Sequence, residues 1–324
     1  MLPVLFSLLL AADLPYSQPQ LASDGKTTGI VFGSGNSVFF ARPDSSPVLI
    51  AESPNLALGN HRGPRIAFAA EAIVVTATFA DRPYMPGTLR VWRSTDRGAT
   101  WTAGPEISNP GAGGMGFQGI ASDGGRRVWA AWIGPESGHP TLFVSHSDDA
   151  GKTWAKQRVL SATVCECCHP TVVVAADGTV RVLFRNNTGG NRDFYLAVSK
   201  DGATFEIAKL GQGSWKLDAC PMDGGGMAEL GGDVVTLWRR QEQLYIAKPG
   251  GDAEESFARG RNAAVTLRKE GMYAVWQSGD GIMAKAPGRE AWLVSKTGGY
   301  PSISPSGPVV IAWEDSGKIR VERL

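Results

Sequence analysis

The segments RSTDRGATW, from Arg93 to Trp101, and SHSDDAGKTW, from Ser145 to Trp154, share the pattern S-x-D-x-G-x-T-W. Their aspartates, Asp96 and Asp149, lie 53 residues apart, and a shortened copy, SKDGATF, places Asp201 another 52 residues on. A unit of about 50 residues that recurs cannot bury its own apolar face and must stack against copies of itself. The chain therefore folds as an array or a closed ring. Within the pattern, Asp bonds nearby backbone N–H groups and Gly takes positive φ, the chemistry of a tight turn between strands. These aspartates are expected to be turn staples and not catalytic groups.

The repeat extends beyond the turns. Seven apolar runs recur in step: GIVFGSG, AIVVTATF, RVWAAWIG, VRVLFRNN, DVVTLWRR, MYAVWQSG and VVIAWEDS. A second, alternating run follows each one: SVFFARPD, LRVWRSTD, LFVSHSDD, FYLAVSKD, LYIAKPGG, IMAKAPG and IRVERL. Short alternating runs between Gly-rich turns give half-buried antiparallel strands. No segment holds a helical period, and 41 glycines with 20 prolines suit an all-β chain. The expectation is one all-β domain over 13–324: a β-propeller of four-stranded antiparallel blades. Seven blades are favoured, and six follow if the first module is split between blades. The last module ends without a fourth strand, and the segment near Tyr16 is expected to supply it.

A net charge of +1 gives no basic surface for nucleic acid or an anionic membrane. The apolar run Leu2–Ala12 is too short for a membrane span of about 20 residues. It reads as a secretory leader over 1–12, although it lacks a charged n-region, and export is the expectation. No later run suits a membrane helix. A monomer with a small-molecule or glycan ligand is expected.

Ligands of a propeller gather where loops lead into the innermost strands. Here those inlets fall at Pro64, Gln118, Pro170, Pro221, Asn262 and Pro301, and proline suits a strand start because no ladder donor is needed there. One candidate pocket follows: His61, Arg62, Arg65, Met115, Gln118, Cys167, Cys168, His169, Cys220, Met222, Asp223, Arg261, Asn262 and Tyr300.

The boxes and their spacing resemble the Asp-box (BNR-repeat) β-propellers of the bacterial sialidase superfamily. HRGPRIAF resembles that family's first arginine motif and contributes Arg62 and Arg65. FADRPYMPGTLRVWRSTDRGATW resembles the run from a carboxylate–arginine pair to the first box, with Asp81 and Arg82. The segment between Arg82 and the box holds no aspartate where the family acid is expected. LFRNN (Arg185), LWRR (Arg239, Arg240) and Arg261 offer further arginines, and GGYPSI resembles the segment with the nucleophilic tyrosine, Tyr300. The resemblance implies arginines that clamp a carboxylate bidentately and a Tyr300 nucleophile. Asp81 of the carboxylate–arginine pair and Glu229, which follows GGGM without a family motif and is a candidate partner for Tyr300, complete the catalytic candidates. The activity implied is a sialidase-type hydrolase or a carbohydrate-binding relative. Arg239 and Arg240 also read as members of blade-rim or inter-blade salt bridges.

One feature stands apart from that resemblance. CECCHP carries Cys165, Cys167, Cys168 and His169, and ACPMD carries Cys220, 52 residues after Cys168. Equal blade positions make the two segments neighbours. Four sulfurs and an imidazole, with Met222 and Met227 nearby, would select a soft ion, copper or zinc. Redox activity at such a site is a variant of this reading. An even cysteine count in an exported chain equally allows structural disulfides, most readily an inter-blade pair with Cys220. A non-catalytic interaction scaffold is the remaining reading.

Overall fold

A computed structural model of the chain describes Phe6–Ser7 as backbone, and residues 14–250 and 253–324. It contains seven four-stranded antiparallel sheets; in six the strands run in chain order from inside to outside, and in the closing blade Phe6–Ser7 forms the outermost strand. The innermost strands are Tyr16–Ser23, Arg65–Phe68, Gln118–Ser122, Thr171–Val174, Gly226–Leu230, Arg261–Arg268 and Gly299–Ile303. Each one touches the next, and the last touches the first, so the ring closes with seven blades.

The apolar runs in the sequence are the second strands. Thr28–Ser34 and Ile73–Phe79 are buried along their whole length because a neighbouring blade covers each face. The cores accordingly lie between blades. One joins Val31, Val38 and Phe40 of the first blade to Ile73, Val75 and Trp92 of the second. Fourth strands such as Thr102–Glu106 are wholly exposed.

The ring closes differently from the sequence expectation. Tyr16–Ser23 is the inner strand of the first blade, with most of its residues buried. Tyr16, Leu21 and Ala22 are buried there against the neighbouring strands, a burial that the outer rim does not provide. Phe6–Ser7 instead pairs with Lys318–Arg323, Phe6 opposite Val321. Apart from that pair, the proposed leader over 1–12 lies outside the described residues.

The Asp boxes are staples at the turns between third and fourth strands. The Asp96 carboxylate accepts from the Ser94 hydroxyl at 2.7 Å and the Thr100 backbone N–H at 2.9 Å. Asp149 repeats both bonds with Ser147 and Thr153, each at 2.8 Å. Asp201 accepts from Ser199, Ala203 and Thr204 at 2.8–2.9 Å. Each box glycine also lets a blade approach the preceding one. A Cβ on Gly98, where φ is +89°, would fall 2.1 Å from the Phe40 ring. Strands alternate direction, so these turns lie on the face opposite the inlets.

Donated hydrogen bonds hold the carboxyls of Asp96 and Asp149 at about 2, below the ordinary 3.8. A carboxyl with a depressed folded value stabilises above its unfolded value, and that contribution is lost as pH falls through the folded one. We therefore expect the wild-type melting temperature to fall as pH drops from 3.8 towards 2, and Asp149→Ala to flatten that acid limb. Parallel acid limbs in a melting series would contradict this role.

Candidate functional site

The inlets meet at one mouth of the central channel and form two adjoining constellations. The first is an aromatic and polar neck. His61 stacks on His169 at 4.7 Å between ring centres, and Tyr300 meets His61 edge-on at 4.8 Å. Asn262 donates its amide to Gln277 Oε1 at 2.9 Å, so its Oδ1 accepts from His61 Nε2 at 2.7 Å. His61, Asn262 and Tyr300 all have φ between +51° and +64°, uncommon for non-glycine residues, and the cost falls where the inlets converge. Burial pushes both imidazoles down, His169 well below its ordinary range, so each is neutral near pH 7. Beneath this neck the channel encloses about 470 Å³, lined by inner-strand residues.

Asp223 braces the neck from the fifth inlet. Its carboxylate accepts from the Asn262 backbone N–H at 3.1 Å and ion-pairs with Arg239 at 2.7 Å. Gly224 follows because a Cβ there would meet the His169 ring at 2.1 Å. Tyr300 donates to Asn60 Oδ1 at 3.1 Å. Burial and the Glu314 carboxylate raise its hydroxyl, while Arg261 and Arg62 lower it.

The second constellation is a nest of sulfur behind the fourth inlet. Cys165, Cys167 and Cys168 are buried. Their Sγ atoms form a triangle with sides of 3.4, 3.6 and 3.9 Å. Arg192 Nη1 donates to Cys165 Sγ at 3.0 Å and to Glu166 at 3.3 Å. Hydrogen bonding with the two neighbouring sulfurs and the nearby Arg192 guanidinium pull the Cys165 thiol down. Burial pushes Cys168 up to about 12. The three cysteines belong to one apolar core with Phe117, Val164, Val172 and Phe184, and Met115 and Met222 pack against that core. Cys220 is exposed; it lies beside Cys167 and donates to Glu166 Oε1 at 3.3 Å. All four thiols are free, so no inter-blade disulfide is formed.

The structure separates the remaining sequence candidates. Arg65 is buried and spends its guanidinium on the carbonyls of His61, Gly63 and Pro64. Burial without a carboxylate lowers it to about 10. Arg185 donates to the carbonyls of Arg192 and Arg239. Neither faces a ligand. Arg239 and Arg240 form ion pairs within the fifth blade, with Asp223 of its inlet and Glu254 of its outer strand, and not between blades. Asp81 and Arg82 lie exposed on the loop between the second and third strands of the second blade. Glu229 sits at the far end of its inner strand, bonded to Arg181, and does not partner Tyr300. The carboxylate that acts on Tyr300 is Glu314, on the adjacent strand. His169 faces the neck and the sulfurs lie behind it. Met227 packs in another core, and Gln118 donates to Gly63 O at 3.1 Å. Arg62, half-buried over Phe117, and exposed Arg261 remain at the mouth; among the described residues neither forms an ion pair. Sequence reasoning passed over Arg192, which carries no motif, and Glu166, which stands inside CECCHP but is neither a thiol nor an imidazole.

Residues 46–214 match the profile of the BNR repeat-like domain, more than half of the chain. The chain belongs to the BNR repeat-like domain family. The Asp boxes described above are the structural signature of such propellers. Among curated proteins none matches the sequence. Several solved structures share the ring. A catalytically inactive variant of virginiamycin B lyase from Staphylococcus aureus is 14% identical, with a TM-score of 0.59 over 99% of each chain. An alpha-L-arabinanase from Penicillium chrysogenum is 12% identical, with a TM-score of 0.55 over 99% of this chain and 97% of its own. A protein of unknown function from Dyadobacter fermentans is 15% identical, with a TM-score of 0.51 over 98% and 96%. At these identities the likeness concerns this BNR propeller's fold, which does not by itself carry a function.

Proposed function

We propose that this BNR propeller binds a thiophilic d10 cation, Cu(I) or Zn(II), through Cys165, Cys167 and Cys168. The observation that carries the reading is the sulfur triangle, with sides of 3.4–3.9 Å. Metal–sulfur bonds of about 2.3 Å in a tetrahedral centre span S···S edges of about 3.8 Å. The three thiols already stand at ligand spacing. Arg192 offsets thiolate charge, and the apolar shell excludes water, two features that tune a metal centre. Soft sulfur donors select Cu(I) and Zn(II) over hard cations. The leader-like run Leu2–Ala12 supports export, and we take the propeller to act as a monomer.

Apo-protein titrated anaerobically with Cu(I), and separately with Zn(II), is expected to take up about one equivalent of one of them. Competing chelators of known affinity tell the two ions apart. Uptake of neither ion by folded protein overturns the reading.

A second reading concerns the mouth. Arg62 and Arg261 both act on the Tyr300 hydroxyl without a carboxylate of their own. Unpaired guanidinia beside an aromatic suit an anionic ligand, most simply a carboxylated glycan. The arabinanase relative makes a glycan a reasonable first ligand to try. We expect sialic acid or a uronate to perturb Tyr300 fluorescence or chemical shifts, and Arg62→Ala with Arg261→Ala to weaken binding at least tenfold, about 1.4 kcal/mol. Cleavage of a fluorogenic sialoside, lost in Tyr300→Phe, would extend this to hydrolysis. Unchanged binding in the double variant would sink this reading.

A further inference from the structure

We infer that Cys220 is the loading port of the sulfur nest, so that the ion is exchanged with an external thiol ligand and not held permanently. This rests on the metal reading above and concerns how the ion reaches the site.

The three nest sulfurs are buried and sealed by apolar side chains. An ion brought by a carrier cannot meet them directly. Cys220 is the exposed cysteine, and it belongs to the fifth inlet, while the nest belongs to the fourth. The three nest sulfurs lie within 4.8 Å of one another, and Cys220 stands outside that group. It nevertheless lies beside Cys167, and its thiol is oriented by a bond to Glu166 Oε1 at 3.3 Å. Glu166 also bonds Arg192, which holds Cys165, so the port and the nest share one framework. Cys220 lies in an irregular segment that runs on to three glycines, 224–226. Such a segment yields more readily than a strand.

The geometry gives a ligand-exchange sequence. The bond between the ion and its carrier sulfur breaks as the bond to Cys220 Sγ forms, and the Cys220 proton leaves to solvent. The ion then exchanges Cys220 for Cys167, whose own proton returns to Cys220 or leaves to solvent. Cys165 and Cys168 complete the site, the Cys168 proton leaving to solvent as its sulfur binds. No oxidation state changes. The partner is a molecule that presents the ion on a thiolate. Sulfur-to-sulfur exchange is rapid only where the attacking sulfur is accessible, which Cys220 alone provides.

The test uses the full chain. Apo-protein is mixed with Cu(I)–glutathione, or Zn(II)–glutathione if zinc is the ion taken up, and loading is followed by ultraviolet charge-transfer absorption or by chelator competition. Cys220→Ser is expected to retain the wild-type stoichiometry and affinity but to load and unload about tenfold more slowly or worse. Wild-type apo-protein first capped at Cys220 by a small alkylating reagent should behave the same way, which answers any folding effect of the substitution. Equal rates in variant and wild type overturn the port. Loss of stoichiometry or affinity in Cys220→Ser overturns it too, because Cys220 would then be an ordinary fourth ligand. If the wild type takes up no ion, the metal reading itself has failed, which is a distinct outcome.

Discussion

Cys165→Ser leaves the propeller folded and weakens its hold on the ion more than 100-fold, beyond the ~10–100-fold typical of losing an outer-shell partner. Cys165 is the sulfur at the centre of the contacts: both neighbouring sulfurs lie within 3.6 Å of it and the Arg192 guanidinium donates to it. A serine hydroxyl is a hard donor and stays protonated at neutral pH, so the site drops to two sulfurs. The fold should survive because serine is smaller than cysteine and Arg192 can still donate to its oxygen. Arg192→Met probes the same centre from outside. It removes charge compensation from a buried thiolate, and it should lower affinity while all three ligands remain. Unchanged ion affinity in Cys165→Ser, with native circular dichroism, would refute the three-sulfur site.

The second large effect is on stability. Arg185→Leu is expected to cost about 4 kcal/mol, because two or three interior carbonyls lose a charged donor at ~1–3 kcal/mol each. Arg185 is 1% exposed and donates to Arg192 O at 2.8 Å, Arg239 O at 2.9 Å and Asp223 O at 3.4 Å. Its guanidinium also lies over Phe194 at 4.2 Å and Trp215 at 5.3 Å. One side chain thus ties the fourth blade to the fifth inlet. For a chain of this size the melting temperature should fall by about 10 °C, given ~2–4 °C per kcal/mol. Arg185→Lys should recover little, since an ammonium cannot reproduce the planar fork. A shift below about 2 °C, under 1 kcal/mol on that scale, would mean that water replaces the lost donors.

The blades were readable because of where propellers put apolar surface. Second strands such as Ile73–Phe79 are covered on both faces, so they appear as unbroken apolar runs. Outer strands such as Thr102–Glu106 face solvent throughout and leave no pattern to read. Tyr16–Ser23 interrupts its apolar residues with Ser17, Gln18 and Gln20, so it shows no unbroken apolar run, and the sequence offered it only as the missing fourth strand of the last module. Only its burial between blades reveals it as an inner strand.

The site divides along the same line. Repeat spacing placed the CECCHP and ACPMD segments side by side, and in the structure Cys220 does lie beside Cys167. Spacing could not say which way each side chain turns. Cys168 and His169 are consecutive, and the turn at Glu166–Cys167 sets Cys168 among the sulfurs while His169 stacks on His61. One therefore enters the sulfur nest and the other the channel neck. The arginines show the converse limit. Arg62, Arg65, Arg185 and Arg261 look alike in sequence, yet Arg65 and Arg185 serve backbone carbonyls while Arg62 and Arg261 face the mouth.

The amino-acid sequence by itself determined the ring: its all-β class, its seven modules, its stapled turns and the inlets where chemistry collects. Those follow from local turn chemistry and from periodic burial, which are written along the chain. Only the tertiary structure decided that three thiols meet behind the neck with Arg192 and Glu166, that Cys220 stays outside, and that Glu229 is remote from Tyr300. These depend on side-chain direction and on contacts across blades, which residues distant in sequence create together.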